Sequence, residues 1–390
     1  MRSFQRALSV ADLRRIARRR LPRFVFEFID GGAEDEVTLR RNREALERIG
    51  FCPRVLTDVS QPRLSVDLMG APARLPLVIA PMGTCTLAAR DADLALARAA
   101  AAAGIPYTLS TMSSTSLEDM ARAVAGRLWF QLYVLRNRDF NDALVTRADD
   151  AGYEALVVTV DLATGGKRER DLRNGITIPL RLGLRGMVDC ALRPGWSLRM
   201  LRDGSPVYRN LRGLFDNEEP GLTIAHKVGR NLDAAFDLDA LARLRDRWPR
   251  KLVVKGVQHP ADAERVAGIG VDAVWVSNHG GRQLDGAEAT IDSLPRIARA
   301  VGGRLDIIVD SGIRRGSDVL KAAALGATAA AIGRPALFAA SAGGEAGVAH
   351  AIGIFEDELR RAMQLAGVAD IADIDPSIVA PEREAGRNVP

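Results

Sequence analysis

Cysteine is scarce in this chain. Cys52, Cys85 and Cys190 are the three cysteines among 390 residues; they lie far apart, and no CxxC pair occurs. This usage argues against a disulfide-stabilised secreted scaffold and is typical of reduced thiols in the cytoplasm. We therefore predict a cytoplasmic protein, and we assign no residue as a metal ligand.

Long apolar runs are also missing. No segment approaches the length needed to span a bilayer, and the arginine-rich N-terminus lacks the uninterrupted apolar core of a secretory signal. The 54 basic and 49 acidic residues give a net charge of only +5. The sequence also lacks the signatures of nucleic-acid-binding folds, so we expect no nucleic-acid partner. With 47% hydrophobic and 26% charged residues, the composition is that of a soluble globular protein.

A repeated unit dominates the rest of the sequence: a short apolar run followed by a helical segment, eight times over. The runs are continuously apolar, which is typical of parallel strands buried on both faces. The predicted strands are Leu77–Pro81, Pro106–Thr111, Leu128–Tyr133, Ala155–Asp161, Lys251–Gly256, Ala273–Asn278, Asp306–Gly312 and Ala329–Arg334. The pattern predicts an α/β fold, a (β/α)8 TIM barrel, with an open doubly wound sheet as the structural alternative.

Three segments fall outside this repeat, and we predict that all belong to one domain covering residues 1–390. Residues 1–70 are predicted to be an N-terminal helical cap on a barrel spanning residues 71–365, and residues 366–390 a tail. After the fourth predicted strand comes a long excursion, whose middle, residues 177–216, mixes apolar side chains with arginines. Such a segment either contacts an anionic membrane surface or packs on the barrel with a solvated arginine face, and the sequence favours neither.

Polar and conformationally special residues cluster at the C-terminal ends of the predicted strands. A barrel of this kind places its active site at those ends, so the clustering indicates an enzyme. The residues there are Pro81, Met82, Gly83, Ser110, Gln131, Tyr133, Thr159, Asp161, Lys255, Ser277, His279, Asp310, Ser311, Gly312, Ile313, Arg314, Gly333 and Arg334.

The loop after the sixth predicted strand reads SNHGGRQLD over residues 277–285. His279 titrates near neutral pH, as a proton-abstracting base must, and Arg282 could grip a substrate carboxylate beside it. Asp161 could hold the histidine tautomer and stabilise the imidazolium, and Tyr133 could hydrogen-bond a substrate oxygen. An isolated HGGR is more often a simple glycine-rich turn, so the neighbouring motifs must support this hypothesis.

The loops after the last two strands predict a phosphate site. Backbone amides and helix N-termini bind phosphate there in many barrels, and Arg314 and Arg334 add cations suited to a dianion. No GxGxxG follows the first strand, which argues against a dinucleotide and for a mononucleotide or a phosphorylated substrate. Lys255 could stabilise negative charge on a reduced cofactor ring or form a Schiff base. The polar contacts that a flat heteroaromatic ring needs could come from Ser110, Gln131 and Thr159.

Taken together, these motifs resemble the FMN-dependent α-hydroxy acid oxidase/dehydrogenase family over nearly the whole chain. The matching motifs, in the family's order, are GGAED (31–35), FQLYV (130–134), TVD (159–161), VKG (254–256), SNHGGRQLD (277–285), DSGIRRGSDV (310–319) and IGRP (332–335). Two stretches, RERDLRNG (168–175) and RPGWSL (193–198), look most like the mandelate dehydrogenase branch. In that branch the corresponding excursion is a membrane-binding segment.

The resemblance implies oxidation of an (S)-2-hydroxy acid to the 2-oxo acid on FMN. His279 would take the substrate's proton with Asp161 supporting it, Arg168 and Arg282 would clamp the carboxylate, and Tyr133 would contact the substrate oxygen. Lys255 would stabilise the reduced ring. The remaining FMN contacts would be Pro81, Met82, Gly83, Ser110, Gln131, Thr159, Ser277, Asp310, Ser311, Gly312, Ile313, Arg314, Gly333 and Arg334. The resemblance further implies a quinone, another carrier or O2 as electron acceptor, a homotetramer, and peripheral contact with the inner face of the membrane if residues 177–216 bind lipid.

Phe28 departs from the family pattern, because most relatives have a tyrosine there whose hydroxyl helps to hold the substrate carboxylate. We therefore expect Phe28 to line a more apolar pocket, suited to an aryl or otherwise bulky 2-hydroxy acid. Gly83, where oxidases of the family often have alanine, is expected to leave more room beside the flavin. The competing hypothesis is a phosphate-binding barrel without a redox role, either an isomerase or a non-catalytic ligand-binding homologue, to which Phe28 lends some weight.

Overall fold

The computed structural model describes residues 3–175, 183–214 and 224–379. Eight parallel strands close into a barrel in the order β10-β3-β4-β5-β6-β7-β8-β9. They are β3 (Leu77–Ile79), β4 (Tyr107–Ser110), β5 (Leu128–Tyr133), β6 (Ala155–Thr159), β7 (Lys251–Val257), β8 (Ala273–Val276), β9 (Asp306–Val309) and β10 (Ala329–Ile332). The predicted (β/α)8 barrel is confirmed, and the open-sheet alternative is wrong because β10 pairs with β3 to close the ring.

The continuous apolar runs reflect burial on both faces. Every residue of β4, β6, β8 and β10 is buried, because one face fills the barrel interior and the other packs against the surrounding helices. Most of the strands end one to three residues before their predicted C-terminal limits, as β6 does at Thr159. The residues beyond these ends have left the hydrogen-bond ladder and form the loops at the C-terminal rim.

Helices surround the barrel, and the first three of them form the segment that precedes it. They are α1 (Val10–Arg20), α2 (Arg23–Asp30), α3 (Val37–Arg48), α4 (Ala92–Ala102), α5 (Leu117–Ala123), α6 (Arg138–Asp150), α7 (Glu169–Arg173), α8 (Leu184–Ala191), α9 (Pro194–Asp203), α10 (Ile224–Asn231), α11 (Leu238–Arg247), α12 (Pro260–Gly268), α13 (Thr290–Val301), α14 (Gly316–Ala324) and α15 (Arg334–Ala366). The last of these bends at Gly343 and Gly344, whose backbone angles are not helical.

A two-stranded antiparallel hairpin precedes the barrel and was not predicted. It pairs β1 (Val66–Leu68) with β2 (Ala71–Ala73). Its turn is held at the N-terminal end of the barrel, where Met69 donates its backbone N–H to Asp306 at the start of β9. The hairpin therefore covers the barrel end opposite the rim where the predicted site residues lie.

Helix α2 of the N-terminal segment reaches the C-terminal rim of the barrel. Leu21 and Pro22 separate α1 from α2, and α2 buries an aromatic face that includes Phe24 and Phe26. Helix α2 then ends at Gly31, with Phe28 in its last turn.

The described part of the excursion contains α8 and α9. Trp196 of α9 is buried, and its indole N–H donates to the carbonyl of Leu87 over 2.8 Å, which ties the excursion to the barrel. Several apolar side chains of α8, α9 and the turn between them remain largely exposed: Leu184, Met187, Val188, Leu192, Leu198 and Leu201. Residues 177–182 and 215–216 of the predicted excursion, and 380–390 of the predicted tail, lie outside the described residues. In the described ranges, no helix is both long enough and apolar enough to cross a bilayer.

Candidate active site

The loops at the C-terminal rim enclose a cavity of about 1160 Å³. Most of the predicted site residues line it: Phe28, Pro81, Met82, Gly83, Tyr133, Arg168, Lys255, His279, Arg282, Asp310, Ser311, Gly312, Ile313, Arg314, Gly333 and Arg334. The other predicted residues, Ser110, Gln131, Thr159, Asp161 and Ser277, lie behind this lining at the strand ends. The structure thus brings together residues from the N-terminal cap and from all eight barrel strands or the loops that follow them.

His279 and Asp161 form the central pair of this cavity. Nδ1 of His279 lies 3.0 Å and 3.2 Å from the two carboxylate oxygens of Asp161, which fixes the tautomer and leaves Nε2 on the side of Tyr133, whose hydroxyl lies 3.5 Å away. Burial lowers the pKa of His279, although the charge of Asp161 opposes that shift. The pKa of Asp161 is also low: burial would raise it, but the nearby His279 and Lys255 outweigh that effect. The pair is therefore a neutral imidazole beside an ionised carboxylate, the state that a general base requires.

Tyr133 remains a hydrogen-bond donor throughout the neutral range. Its ring stacks on that of His279, with centroids 6.5 Å apart and planes inclined by 19°. Burial, reinforced by the charge of Asp161, raises the pKa of Tyr133 to about 12. The phenol therefore keeps its proton and can donate to an oxygen placed next to the imidazole.

The backbone at His279 explains the glycines that follow it. His279 has φ of 57°, in the left-handed region that non-glycine residues rarely adopt, and Gly280 and Gly281 follow with φ of 67° and 70°. A Cβ on Gly280 would lie 2.5 Å from Nη1 of Arg334, and one on Gly281 would lie 2.7 Å from the backbone nitrogen of Leu39. The glycine pair therefore allows the loop to approach both a rim arginine and helix α3.

Arg282 and Arg334 join the cap to the barrel. Nη1 of Arg282 donates to the carbonyls of Phe28 (2.8 Å) and Gly31 (2.9 Å), and Arg334 donates to those of Ile29 (3.0 Å) and Gly31 (2.7 Å). These carbonyls belong to the C-terminal end of α2, where cations are favoured. Burial, together with the charges of Arg168 and Arg334, lowers the pKa of Arg282 to about 9. The site thus holds buried positive charge, which an anionic ligand would stabilise.

The ring of Phe28 lies next to both guanidinium groups proposed for carboxylate binding. Cζ of Arg168 is 5.9 Å from the ring centroid and Cζ of Arg282 is 5.3 Å from it. Both distances are within the range of cation–π attraction. Phe28 therefore orients the two cations with its ring, although it lacks a hydroxyl.

Lys255 is buried in a polar cluster under the cavity. Its Nζ lies 2.8 Å from Oγ of Ser277 and 3.5 Å from Oδ2 of Asp310, which also accepts from the indole of Trp275 at 3.0 Å. Because the ammonium is anchored by two partners, its charge is held in a fixed place at the cavity surface. This rigidity suits it to stabilising negative charge that develops on a bound ring.

The described residues fit an FMN molecule on two independent grounds. Within the described chain, Nε2 of Gln131 and Oγ1 of Thr159 are buried without a hydrogen-bond partner, while Oε1 of Gln131 accepts from Ser110 at 3.0 Å. Unpaired buried polar atoms are costly, and a ring with carbonyl oxygens and nitrogens would satisfy them. Burial also lowers the pKa values of Arg314 and Arg334 to about 10, so a phosphate dianion would find desolvated cations there.

Gly83 lies closely packed against the loop that follows β4. A Cβ added there would lie 2.7 Å from Cβ of Met112, so the space beside its Cα is already filled. The glycine permits close packing of the loops after β3 and β4 and also lines the cavity, and the greater room beside the flavin stays a prediction.

Gln283 links two loops of the site, although the sequence predicted no role for it. Its side-chain amide donates to the carbonyl of Thr164 (3.2 Å), and its Oε1 accepts from the backbone N–H of Gly166 (3.2 Å). Gln283 therefore links the loop that carries Arg168 to the loop that carries His279. The sequence feature that could have indicated this role is the position of Gln283 directly after Arg282.

Two acidic residues were also missed. Asp285 accepts from the backbone N–H groups of Val37 (3.1 Å) and Thr38 (2.8 Å) at the start of α3, in the manner of a helix N-cap supplied by a distant loop. Asp171 lines the cavity 3.4 Å from Nε of Arg168, and burial raises its pKa despite the neighbouring Arg282 and Arg168. Among the described residues, no group of three or more histidine, cysteine or acidic side chains is arranged to hold a metal ion.

Comparison with known proteins adds three findings. Residues 17–381 match the family model described as FMN-dependent dehydrogenase. The (S)-mandelate dehydrogenase of Pseudomonas putida is 40% identical over 97% of this chain and 95% of its own length, and the L-lactate dehydrogenase of Caulobacter sp. (strain K31) is 43% identical over 95% and 98%. The crystal structure of the monotopic membrane protein (S)-mandelate dehydrogenase is similar with a TM-score of 0.91 and 40% identity, covering 96% of this chain and 100% of the other.

Proposed function

The chain belongs to the FMN-dependent dehydrogenase family, and on that premise we propose that it oxidises an (S)-2-hydroxy acid to the corresponding 2-oxo acid. FMN is its cofactor. The observation that carries the substrate class is the placement of a neutral imidazole and two guanidinium groups on one cavity. The alternative of a phosphate-binding barrel without a redox role is not supported, because the family match covers residues 17–381 and the base and cations of the site are intact.

Arg168 and Arg282 would bind the substrate carboxylate in this scheme. Both line the cavity, and their shared contact with the ring of Phe28 limits the directions in which they can point. A carboxylate bound by two guanidinium groups is held in both position and orientation. That orientation would bring the hydroxyl-bearing carbon of the substrate towards Nε2 of His279.

His279 would then act as the base. Its Nε2 accepts a proton from the hydroxy acid, and Asp161 stabilises the imidazolium that forms. Tyr133 would donate its phenolic proton in a hydrogen bond to the substrate oxygen, since its raised pKa keeps it protonated. FMN, when bound, supplies the oxidising power by accepting the substrate's electron pair.

The side chains that would hold FMN are distributed along the rim. Arg314 and Arg334 would bind the phosphate, and Gln131, Thr159 and Ser110 would meet the polar edge of the ring, with Lys255 near the part that becomes negative on reduction. The remaining contacts proposed for the cofactor are Pro81, Met82, Gly83, Ser277, Asp310, Ser311, Gly312, Ile313 and Gly333.

We expect an aryl or bulky 2-hydroxy acid to be preferred. Phe28 presents an apolar ring to the cavity, and relatives that act on mandelate and on lactate are 40% and 43% identical. The test compares kcat/KM for (S)-mandelate, L-lactate and glycolate with a common artificial acceptor. Mandelate should rank first, and a clear preference for glycolate would refute the pocket argument.

The proposal also covers the electron acceptor and the location of the protein in the cell. A structural relative is a monotopic membrane protein, and α8 and α9 expose apolar side chains. We propose peripheral contact with the inner face of the membrane through residues 177–216, with a quinone rather than O2 as acceptor, in a homotetramer. Reoxidation of the anaerobically reduced enzyme by a soluble quinone should outpace reoxidation by O2, and the reverse order would identify an oxidase.

A further inference from the structure

A second cavity lies outside the flavin site and is rich in arginine. It has a volume of about 500 Å³ and is formed where the C-terminal end of α1, the N-terminal end of α9 and the bend of α15 meet. Four arginines line it: Arg19, Arg20, Arg193 and Arg199. No acidic residue is among its lining residues.

The hydrogen bonds of these guanidinium groups leave their charge largely uncompensated. Arg20 donates to the backbone carbonyl of Ala342, and Arg199 donates to the carbonyls of Thr86 (2.6 Å) and Leu87 (3.0 Å). In the ranges that the structure describes, none of the four arginines has a carboxylate within ion-pair distance. Asp203 is the acidic group whose charge reaches Arg199, and its carboxylate is paired with Arg202.

Arg193 supplies a direct sign of a missing partner. Its Nε is buried and, within the described part of the chain, has no hydrogen-bond partner, while its Nη1 donates only to the adjacent carbonyl of Leu192. Arg193 is also the N-cap of α9, whose first residues, Pro194 and Gly195, line the same cavity. An unpaired guanidinium N–H on a cavity lined by three further arginines is suited to binding a phosphate group.

We propose that this cavity is a binding site for a phosphate-bearing anion, either the headgroup of an anionic phospholipid or free phosphate. Arg193 and Arg19 would contact the bound phosphate group. Arg199 and Arg20 stabilise the wall of the cavity by donating to backbone carbonyls. The site is separate from the flavin cavity and does not depend on which hydroxy acid is oxidised. The cavity lies at the start of α9, which also exposes apolar side chains. A phospholipid could therefore place its headgroup in the cavity and its acyl chains beside these side chains.

The test uses the FMN-loaded full-length enzyme, so that phosphate cannot occupy the flavin site. One arm titrates inorganic phosphate by calorimetry, and the other measures sedimentation with vesicles of phosphatidylcholine with and without phosphatidylglycerol. Arg193→Gln removes a cavity arginine. Arg299→Gln, at an exposed position of α13, removes an equal charge away from both the cavity and residues 177–216 and serves as the matched control.

The expected result is saturable binding in at least one arm that Arg193→Gln weakens at least tenfold and Arg299→Gln leaves within twofold of wild type. Binding in the phosphate arm alone identifies free phosphate as the ligand, and binding in the phosphatidylglycerol arm alone identifies the headgroup. Arg19→Gln, at an exposed position, must give the same loss, which guards against a folding defect in the first variant; FMN content and Tm are recorded for each. Equal losses for Arg193→Gln and Arg299→Gln, or no saturable binding in either arm, would overturn the proposal.

Discussion

The protonation state of His279 depends on two opposing influences. Burial disfavours the imidazolium, while the Asp161 carboxylate 3.0 Å from Nδ1 favours it, and burial prevails. The pKa of His279 therefore lies below its ordinary value of about 6.5. A base must be unprotonated before it can act, so activity is lost as the pH falls through this lowered pKa.

The pH profile of kcat/KM follows from the lowered pKa of His279. We expect kcat/KM for the hydroxy acid to rise about tenfold per pH unit on the acid side, with the midpoint of this limb below the ordinary pKa of imidazole. Asp161→Asn removes the charge that opposes the shift, so its acid limb should move to still lower pH, while the plateau falls about a hundredfold because the imidazolium loses its support. A wild-type limb centred above pH 7, or a limb that Asp161→Asn moves upward, would show that His279 is not the titrating group.

Phe28 affords a second test at the scale of one residue. Phe28→Tyr adds a hydroxyl next to Arg168 and Arg282, and a hydrogen bond to a charged carboxylate contributes about 1.5–3 kcal/mol. We expect KM for L-lactate to fall about tenfold or more, with a smaller change for mandelate. Phe28→Leu, which removes the ring that lies within 6 Å of both guanidinium carbons, is the control and should raise KM for both substrates. An unchanged KM for lactate in Phe28→Tyr would show that this side chain does not face the carboxylate.

Two loops determine the geometry of the site at the scale of structural elements. The loop after β6 carries Asp161 and Arg168, and the loop after β8 carries His279 and Arg282. They touch at Gly166, where an added Cβ would lie 2.3 Å from the carbonyl oxygen of Arg282 and 2.7 Å from Cα of Gln283. Both contacts are with backbone atoms, which cannot move aside as a flexible side chain would.

Gly166→Ala should therefore separate Arg168 and Arg282, the two arginines proposed to bind the carboxylate. We expect KM for the hydroxy acid to rise at least tenfold, with FMN content unchanged, because a displacement of about 1 Å is enough to cost two orders of magnitude in a preorganised site. Gly165→Ala is a matched control, since its Cβ would have no atom within 4 Å among the described residues. If both variants behave as wild type in steady-state kinetics, the contact between the loops does not position the clamp.

The elements themselves could be predicted from the sequence to different degrees. All eight barrel strands were predictable, because burial on both faces leaves an unmistakable apolar run such as Ala155–Thr159. The β1–β2 hairpin was not, because its strands have three residues each and include Pro72. The roles of Gln283 and Asp285 were equally hidden, because each contacts a segment more than a hundred residues away in the sequence.

At the scale of the whole molecule, the N-terminal cap and the barrel form one functional unit. Arg282 and Arg334 bind the C-terminal carbonyls of α2, and Asp285 caps α3, so residues of the active-site loops also hold the cap in place. The cap in return supplies Phe28 to the cavity. Ligand binding and overall stability should therefore be linked.

This linkage can be measured through Arg334. Arg334→Gln loses the carbonyl contacts to Ile29 and Gly31 and a cation proposed for the FMN phosphate, so we expect a lower Tm without FMN and at least tenfold weaker FMN binding. The increase in Tm on adding excess FMN should shrink accordingly, since FMN at a hundred times its Kd stabilises by about 2.7 kcal/mol. Arg299→Gln, at an exposed position away from the cavity, is the control for charge. A full FMN-dependent increase in Arg334→Gln would place the phosphate elsewhere.

Anaerobic mixing of the FMN-loaded enzyme with (S)-mandelate, followed by flavin absorbance, tests the role of His279 most directly. The wild type should bleach, whereas His279→Gln should retain its FMN and its yellow colour and bleach about a thousandfold more slowly, the contribution of a positioned base. Bleaching of His279→Gln at the wild-type rate would contradict the account.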